Sequence, residues 1–179
     1  MPLDEVLPDL YISGHQSAKR RNLEKNGIKT VLSIIEYALP YEPKCDIEYH
    51  HINITDTPDQ DLLIHFSTIV EIISNGLQRG RVLVHCYAGM SRSVSAIISY
   101  LISVFNLDFQ TSLTIMKENH RLCFPNPGFG KQLEIWKQES IAKWKPTPAY
   151  VYHRDKIMEI SHAEKFSVIR KILKERSQK

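Results

Sequence analysis

Apolar residues recur along the chain with two periods, one typical of strands and the other typical of helices. Short β-branched runs predict strands, and apolar residues three or four positions apart predict helices. The predicted strands are Leu7–Gly14, Ile28–Ile35, Ile47–Ile54 and Arg81–Cys86, and the predicted helices are His15–Asn26, a helix after Asp61, Val94–Phe105, Asp108–His120, Phe129–Trp144 and about Asp155–Arg176. Because strands that alternate with helices form mainly parallel sheets, we predict an α/β fold: a central sheet of about four to five strands, flanking helices and a C-terminal helical extension.

The two prolines of the segment Lys145-Pro-Thr-Pro148 predict a boundary between a first domain over residues 1–144 and a basic extension over 145–179. The net charge is +3, yet residues 143–179 hold ten Lys and Arg against four Asp and Glu. The preceding residues therefore carry a balance of −3, which argues against a nucleic-acid-binding domain. Three roles are open for the extension: packing on the first domain, binding a partner, or lying against anionic lipid.

The stretch from Arg81 to Ser93 joins a predicted strand to a predicted buried helix through a tight loop. Cys86 stands at the end of the strand and Arg92 at the start of the helix. Inward-turned backbone N–H groups and a helix N-terminus attract an anion, and arginine adds a planar fork of donors that suits phosphate oxygens. The same field favours the thiolate form of Cys86, which is then a nucleophile aimed at phosphorus.

The string His85-Cys86-x-x-Gly89-x-Ser91-Arg92-Ser93 resembles the signature of cysteine-based protein phosphatases, specifically their dual-specificity branch. Pro8–Gly14 is similar to the opening strand of that family, and Pro125–Leu133 to its Pro-Asn-x-Gly-Phe-x-x-Gln-Leu segment. The resemblance covers residues 4–142 and is closest to the small atypical members. The chain departs from those members in lacking a myristoylation glycine and a Cys-rich tail. The resemblance implies a phosphatase-like fold for the first domain.

The resemblance also implies a two-step reaction through a cysteinyl-phosphate intermediate. Cys86 attacks phosphorus, and Ser93 donates a hydrogen bond to the departing sulfur unless it is a plain helix cap. His85 holds the loop from behind or is a core histidine. The residues expected to surround the phosphate are Tyr87, Ala88, Gly89, Met90, Ser91 and Arg92. Asn126 is expected to brace this loop or to be an ordinary loop residue, and we expect neither a metal nor a cofactor.

Displacing a hydroxyl from phosphorus needs an acid that protonates the leaving oxygen. Asp56, Asp59 and Asp61 all follow the strand Ile47–Ile54, whose end should lie beside Cys86 at the same sheet edge. Asp61 is better placed to cap the next helix. Asp56 matches the acid in the family's pattern and is our prediction, with Asp59 as the competitor.

The predicted substrates are phosphoproteins, with phosphotyrosine and phosphoserine or phosphothreonine accepted alike in a shallow pocket. The alternatives are a catalytically silent phosphoprotein-binding module and a phosphatase for a lipid or an RNA 5′ end. The three cysteines, Cys45, Cys86 and Cys123, are too few for a disulfide framework, and they favour a cytoplasmic or also nuclear setting. A redox pair between Cys86 and Cys123 is a further hypothesis. We expect no integral membrane segment and leave the oligomeric state open.

Overall fold

A five-stranded sheet lies at the centre of the described part of the molecule. The computed structural model describes residues 3–37, 46–141, 144–160 and 165–178, so Cys45 lies outside the described residues. The strands are β1 Asp4–Leu7, β2 Leu10–Gly14, β3 Ile28–Ile34, β4 Glu48–Ile52 and β5 Arg81–Cys86. Their order is β1-β2-β5-β3-β4, and only β1 is antiparallel to its neighbour. The prediction of an α/β fold with a mainly parallel sheet is confirmed.

Helices cover both faces of this sheet. They are α1 Arg20–Lys25, α2 Phe66–Arg79, α3 Arg92–Phe105, α4 Phe109–Asn119, α5 Pro127–Ile141, α6 Pro148–Glu159 and α7 Ser167–Ser177, with a 3-10 turn at Leu63–His65 before α2. Alternate residues of β5 enter two different cores: Val82 and Val84 pack in the large one, and Leu83 packs in a small one with Leu23 of α1. This alternation is the two-residue period of a strand that is buried on both faces.

Helix α3 is the most buried helix of the fold. All of its residues except Ser103 are buried, as its apolar sequence predicts. It contacts β5 on one side and α2, α4 and α5 on the others. Because α3 follows the Cys86 loop directly, this packing gives the loop a rigid support.

The predicted strand Leu7–Gly14 is in fact the end of one strand and the whole of another. Pro8 and Asp9 turn the chain between β1 and β2, and Asp9 has a φ of 62°. Aspartate tolerates this left-handed conformation better than most residues, and proline readily begins a turn. The prediction of a single strand here is wrong.

The predicted helix 155–176 is also wrong in its bounds. The structure has two helices, α6 and α7, and residues 161–164 between them lie outside the described part. Helix α6 begins earlier than predicted because the Thr147 side chain caps it, accepting the Tyr150 N–H at 3.2 Å, and because Pro148 occupies its first turn. Tyr150, Ile157, Ile169 and Leu173 belong to the same core as α3, so both helices pack on the first domain.

In the described ranges no single helix has the length and apolar character needed to cross a membrane; α3 and α4 meet that requirement only as a pair bent by 119°.

Candidate active site

The loop of residues 86–92, called the phosphate loop below, connects β5 to α3 at the carboxyl edge of the sheet. Gly14 of β2 pairs with Cys86, and Ser33 of β3 pairs with His85, so both neighbouring strands end beside the loop. Gly89 has a φ of 76°, and a Cβ there would stand 2.7 Å from the backbone nitrogen of Gly14. Only glycine meets both requirements, a left-handed conformation and a close backbone approach.

The carbonyl groups of the phosphate loop are bonded to the protein around it. The Tyr87 carbonyl accepts the His15 N–H at 3.0 Å, and the Met90 carbonyl accepts the Phe124 N–H at 2.9 Å. The Gly89 carbonyl contacts Nε2 of His120 at 2.8 Å. Since the N–H and C=O groups of a trans peptide point in opposite directions, outward carbonyls turn the following N–H groups inward, which is the arrangement of an anion nest.

Cys86 begins this nest and is only 1 % exposed. The Gly89 N–H donates to Sγ at 3.2 Å, and the Ser93 hydroxyl oxygen lies 3.2 Å from the same atom. The Gly89 N–H, the Ser93 hydroxyl and the N-terminus of α3 all place polar groups or partial positive charge beside the sulfur. The sulfur is therefore equipped as a nucleophile and, through Ser93, as a leaving group.

Arg92 carries a guanidinium that is nearly enclosed, with 5 % of its side chain exposed. Its Nη1 donates to the carbonyl oxygen of Ile54 at 2.9 Å and to the carboxylate of Glu36. Its Nε has no hydrogen-bond partner among the described residues, and it lies 3.9 Å from the Asp56 carboxylate. Donors on the guanidinium thus remain for an incoming oxyanion.

Glu36 is a site residue that the sequence analysis missed. The hydrogen bond from Arg92 lowers the pKa of its carboxyl, so Glu36 is an anion opposite the arginine. The signal that could have found it is topological: Glu36 stands two residues after the end of β3, at the same sheet edge as Cys86.

Asp56 is the aspartate that the structure joins to the phosphate loop. Its Oδ1 accepts hydrogen bonds from the Ser91 hydroxyl at 2.7 Å and from the Asn126 amide at 2.8 Å. Asp61 instead accepts the Ile64 N–H at 3.4 Å, a local capping contact. Asp59 is fully exposed, and a hydrogen bond from Thr57 lowers the pKa of its carboxyl.

Asn126 connects the phosphate loop to α5. Its backbone N–H donates to the Ser91 hydroxyl oxygen at 3.0 Å, and its side-chain oxygen accepts the Phe129 N–H at 3.0 Å. Together with the hydrogen bond from its side-chain amide to Asp56, these contacts make Asn126 the brace between the predicted acid, the loop and the start of α5.

His85 lies behind the phosphate loop and is fully buried. Burial lowers the pKa of its imidazole to about 4, so the ring is neutral near pH 7. A neutral ring whose Nδ1–H donates to the Cys86 carbonyl at 3.3 Å can accept the Ser33 hydroxyl at Nε2, where the distance is 2.6 Å. This position suits support of the loop rather than proton transfer.

The rim of the site is partly aromatic. Tyr87 is 52 % exposed and stacks on His15 with 4.5 Å between the ring centroids. His15 was not predicted, because it follows β2, far along the chain from the loop. Ala88 is also exposed, whereas Gly89 is buried.

Cys123 is a buried thiol on the segment that backs the phosphate loop. Burial raises the pKa of this thiol to about 12, and its sulfur donates to the His120 carbonyl at 3.0 Å. These features describe a protonated structural cysteine, and pairing with Cys86 stays a prediction.

Comparison with known proteins identifies this combination of fold and loop. A family model described as the catalytic domain of dual specificity phosphatases matches residues 10–139, well over half of the chain. The chain therefore belongs to the dual specificity phosphatase family, and it resembles the small atypical members within it.

Individual relatives support the same placement. The chain is 39 % identical over 134 residues to dual specificity protein phosphatase 15 of Mus musculus, an alignment that covers 74 % of this chain and 56 % of the mouse protein. It is 28 % identical over 174 residues to dual specificity protein phosphatase 22 of Homo sapiens, covering 96 % and 94 % of the two chains. The chain thus spans about half the length of the first relative and nearly all of the second.

Among solved structures, the fold is similar to that of the human tyrosine phosphatase-like serine/threonine/tyrosine-interacting protein. The TM-score is 0.74 and the sequence identity is 28 %, with 78 % of this chain and 98 % of the other covered.

Proposed function

We propose that this protein is a protein phosphatase that hydrolyses phosphotyrosine and phosphoserine or phosphothreonine through a cysteinyl-phosphate intermediate. The single observation that carries the proposal is the Cys86 sulfur, which accepts the Gly89 N–H and faces Ser93, beside an enclosed Arg92 and the Asp56 carboxyl. The family match and the names of the relatives support the same activity.

In the first step the Cys86 thiolate attacks phosphorus in line with the ester oxygen. The S–P bond forms as the P–O bond to the substrate breaks, and the protonated Asp56 carboxyl gives its proton to the leaving oxygen. Arg92 and the inward N–H groups stabilise the charge on the three equatorial oxygens.

In the second step water attacks the cysteinyl-phosphate. Asp56, now a carboxylate, takes a proton from the water, and the S–P bond breaks to release inorganic phosphate. Ser93 donates a hydrogen bond to the sulfur as it leaves with the electron pair, which makes the thiolate a better leaving group. His85 and Asn126 hold the loop and the acid in place.

The proposed substrate class follows from the shape and composition of the loop. The described residues around Cys86 add an exposed Tyr87 and the His15 ring at the rim, which suit the side chains of a protein substrate. The loop holds no lysine between Cys86 and Arg92, unlike the loop expected of a lipid phosphatase.

A catalytically silent phosphoprotein-binding module is the second candidate. It is favoured by the structural similarity to the human protein whose name describes it as phosphatase-like and as an interacting protein. Against it, Cys86, Arg92 and an acid are all present and joined in one site.

The test compares wild type with Cys86→Ser on an aryl phosphate and on phosphotyrosine, phosphoserine and phosphothreonine peptides. We expect wild type to release phosphate from all four and the serine variant to release none while still binding phosphopeptide. Phosphopeptide binding without turnover by wild type would establish the silent module instead. Turnover of a phosphoinositide or an RNA 5′ phosphate in preference to the peptides would overturn the substrate class.

The outer surface of α7 is the contact surface that we propose for the C-terminal extension. The apolar side of α7 is buried in the core, whereas Lys171 and Lys174 are exposed. An acidic partner or anionic lipid is the chemistry these lysines fit, and such a contact stays a prediction.

A further inference from the structure

We propose that His120 and Asp4 form a positioning pair that holds the phosphate loop in its oxyanion-binding conformation. The inference rests on the proposed function in one respect, that the loop binds a phosphoryl group. Neither residue touches the reacting atoms, so both act through the backbone of Gly89.

The imidazole of His120 spans the space between the loop and the edge strand β1. Its Nε2 lies 2.8 Å from the carbonyl oxygen of Gly89, and its Nδ1 lies 2.6 Å from Oδ2 of Asp4. The His120 side chain is 4 % exposed and that of Asp4 is 35 % exposed. A buried ring bonded at both nitrogens has little freedom to rotate, so it fixes the position of the carbonyl.

Gly89 is the residue of the loop that most needs such a restraint. Its φ of 76° and its lack of a side chain leave this part of the backbone conformationally permissive. Its own N–H donates to the Cys86 sulfur at 3.2 Å. Its carbonyl, held outward by His120, directs the N–H of Met90 to the opposite side, which is the inside of the nest. Losing the His120 contact would therefore free a peptide group that the oxyanion requires.

A carbonyl oxygen only accepts hydrogen bonds, so the His120 ring donates to Gly89 from Nε2, while its Nδ1 faces Oδ2 of Asp4. One buried ring therefore joins the phosphate loop to the edge strand β1.

Asp4 lies on β1, outside the family match, which begins at residue 10. The two partners are 116 positions apart in the chain, and only folding brings them together.

The test measures kcat and KM for an aryl phosphate and, by calorimetry, the dissociation constant of tungstate, at a temperature where circular dichroism shows each variant folded. The variants are His120→Ala, His120→Asn, His120→Gln and Asp4→Ala in the full chain. A Gln amide nitrogen reaches as far as Nε2, whereas an Asn amide reaches only as far as Nδ1. We expect His120→Ala and His120→Asn to weaken tungstate binding by about tenfold or more, because the Gly89 carbonyl loses its donor. His120→Gln should restore most of the lost affinity.

The matched control is His50→Ala. His50 forms a histidine–carboxylate contact of the same kind with Glu48, at 2.9 Å on the edge strand β4. This variant should keep wild-type tungstate binding and kcat/KM. A merely structural role for His120 would lower the melting temperature and leave the tungstate dissociation constant of the folded protein unchanged.

Wild-type tungstate affinity in a folded His120→Ala or in Asp4→Ala would overturn the inference, as would rescue by His120→Asn rather than by His120→Gln. If His120→Ala does not fold, Asp4→Ala decides, because it removes a side chain that is 35 % exposed. Absence of wild-type turnover would contradict the proposed function, whereas the tungstate series would still test the positioning pair.

Discussion

Arg92 carries a full positive charge in a nearly closed site, and its neighbours determine which of its donors are free to bind an oxyanion. A buried guanidinium is costly unless it is paired, and Glu36 supplies the pairing charge at Nη1. Because Nε has no partner among the described residues, the arginine is stabilised without being saturated. The same balance applies to Asp56, whose Oδ1 is held by Ser91 and Asn126, while its Oδ2 is 3.9 Å from Arg92 Nε.

Asp56→Asn tests the acid with almost no change in shape. We expect its kcat to fall by about 10²–10⁴ on phosphoserine peptides, whose leaving oxygen needs a proton, and by less on an activated aryl phosphate. Stopped-flow and steady-state assays on both substrates measure the difference. Asp59→Asn is the control and should keep wild-type rates; a loss in Asp59→Asn alone would show that the acid is misassigned.

At this scale, the sequence could predict what lies close together along the chain. One loop and the following helix turn contain Cys86, Gly89, Arg92 and Ser93. The spacing of these residues in the sequence therefore predicted their shared chemistry. Glu36 and His120 reach the loop from other elements, and single-sequence reasoning offers no direct measure of such contacts. Asp56 also reaches the loop from another element, but it could be predicted because the strand before it was expected to end at the same sheet edge as Cys86.

Helix α5 positions the loop that carries Asp56. The Gln132 side chain accepts the N–H groups of Leu62 and Leu63, each at 2.8 Å, and donates to the Gln60 carbonyl at 2.7 Å. At the start of the same helix, a Cβ on Gly128 would stand 2.0 Å from the carbonyl oxygen of Pro58. Backbone-to-backbone contact at this point explains why glycine is needed in the first turn of a helix.

Gly128→Ala should therefore push the loop that carries Asp56 away from the phosphate loop. We expect a fall in kcat on phosphopeptides of about tenfold or more, since a displacement near 1 Å at a reacting group can cost about 10²-fold. Gly130→Ala is the matched control, because its Cβ would make only ordinary contacts with Phe109, at 3.7 and 3.8 Å. Equal kinetics for the two alanine variants would contradict this account of α5.

The element predictions failed where local signals were ambiguous. Pro8 and Asp9 are a turn signal, but the apolar residues on both sides of them were read as one strand, and β1 became visible only through its pairing with β2. The ragged apolar stripe of the extension suggested one helix, whereas Phe166, with a φ of 59°, begins a second one. In both places a residue with a left-handed backbone, Asp9 or Phe166, is held by contacts with residues far along the chain.

At the scale of the whole molecule, the C-terminal helices are tied to the β1–β2 hairpin. Asp9 accepts hydrogen bonds from Tyr152 at 2.6 Å and from Lys156 at 2.5 Å, and Glu5 pairs with Lys165 at 3.0 Å. Burial alone would raise the pKa of Asp9, but these hydrogen bonds lower it. Since β1 also carries Asp4, the extension supports the strand that supports the phosphate loop.

Leu173→Ala tests whether α7 belongs to the common core. Leu173 is 2 % exposed, so removing its side chain should lower the free energy of unfolding by about 2–5 kcal/mol, in a single cooperative transition in urea. Lys174→Ala, at the exposed neighbouring position, should change it by less than about 0.5 kcal/mol. A separate early transition for α7, or equal stability of the two variants, would show that the helix is not part of the core.

The central claim is that the Cys86 sulfur carries the phosphoryl group during turnover. The direct measurement is acid quenching of the enzyme with a phosphopeptide substrate, followed by mass spectrometry of the peptide that contains Cys86. The account predicts one phosphoryl group on Cys86, in greater amount in Ser93→Ala because the sulfur then leaves more slowly, and none in Cys86→Ser. Turnover at the wild-type rate by Cys86→Ser, or a phosphoryl group on another residue, would contradict it.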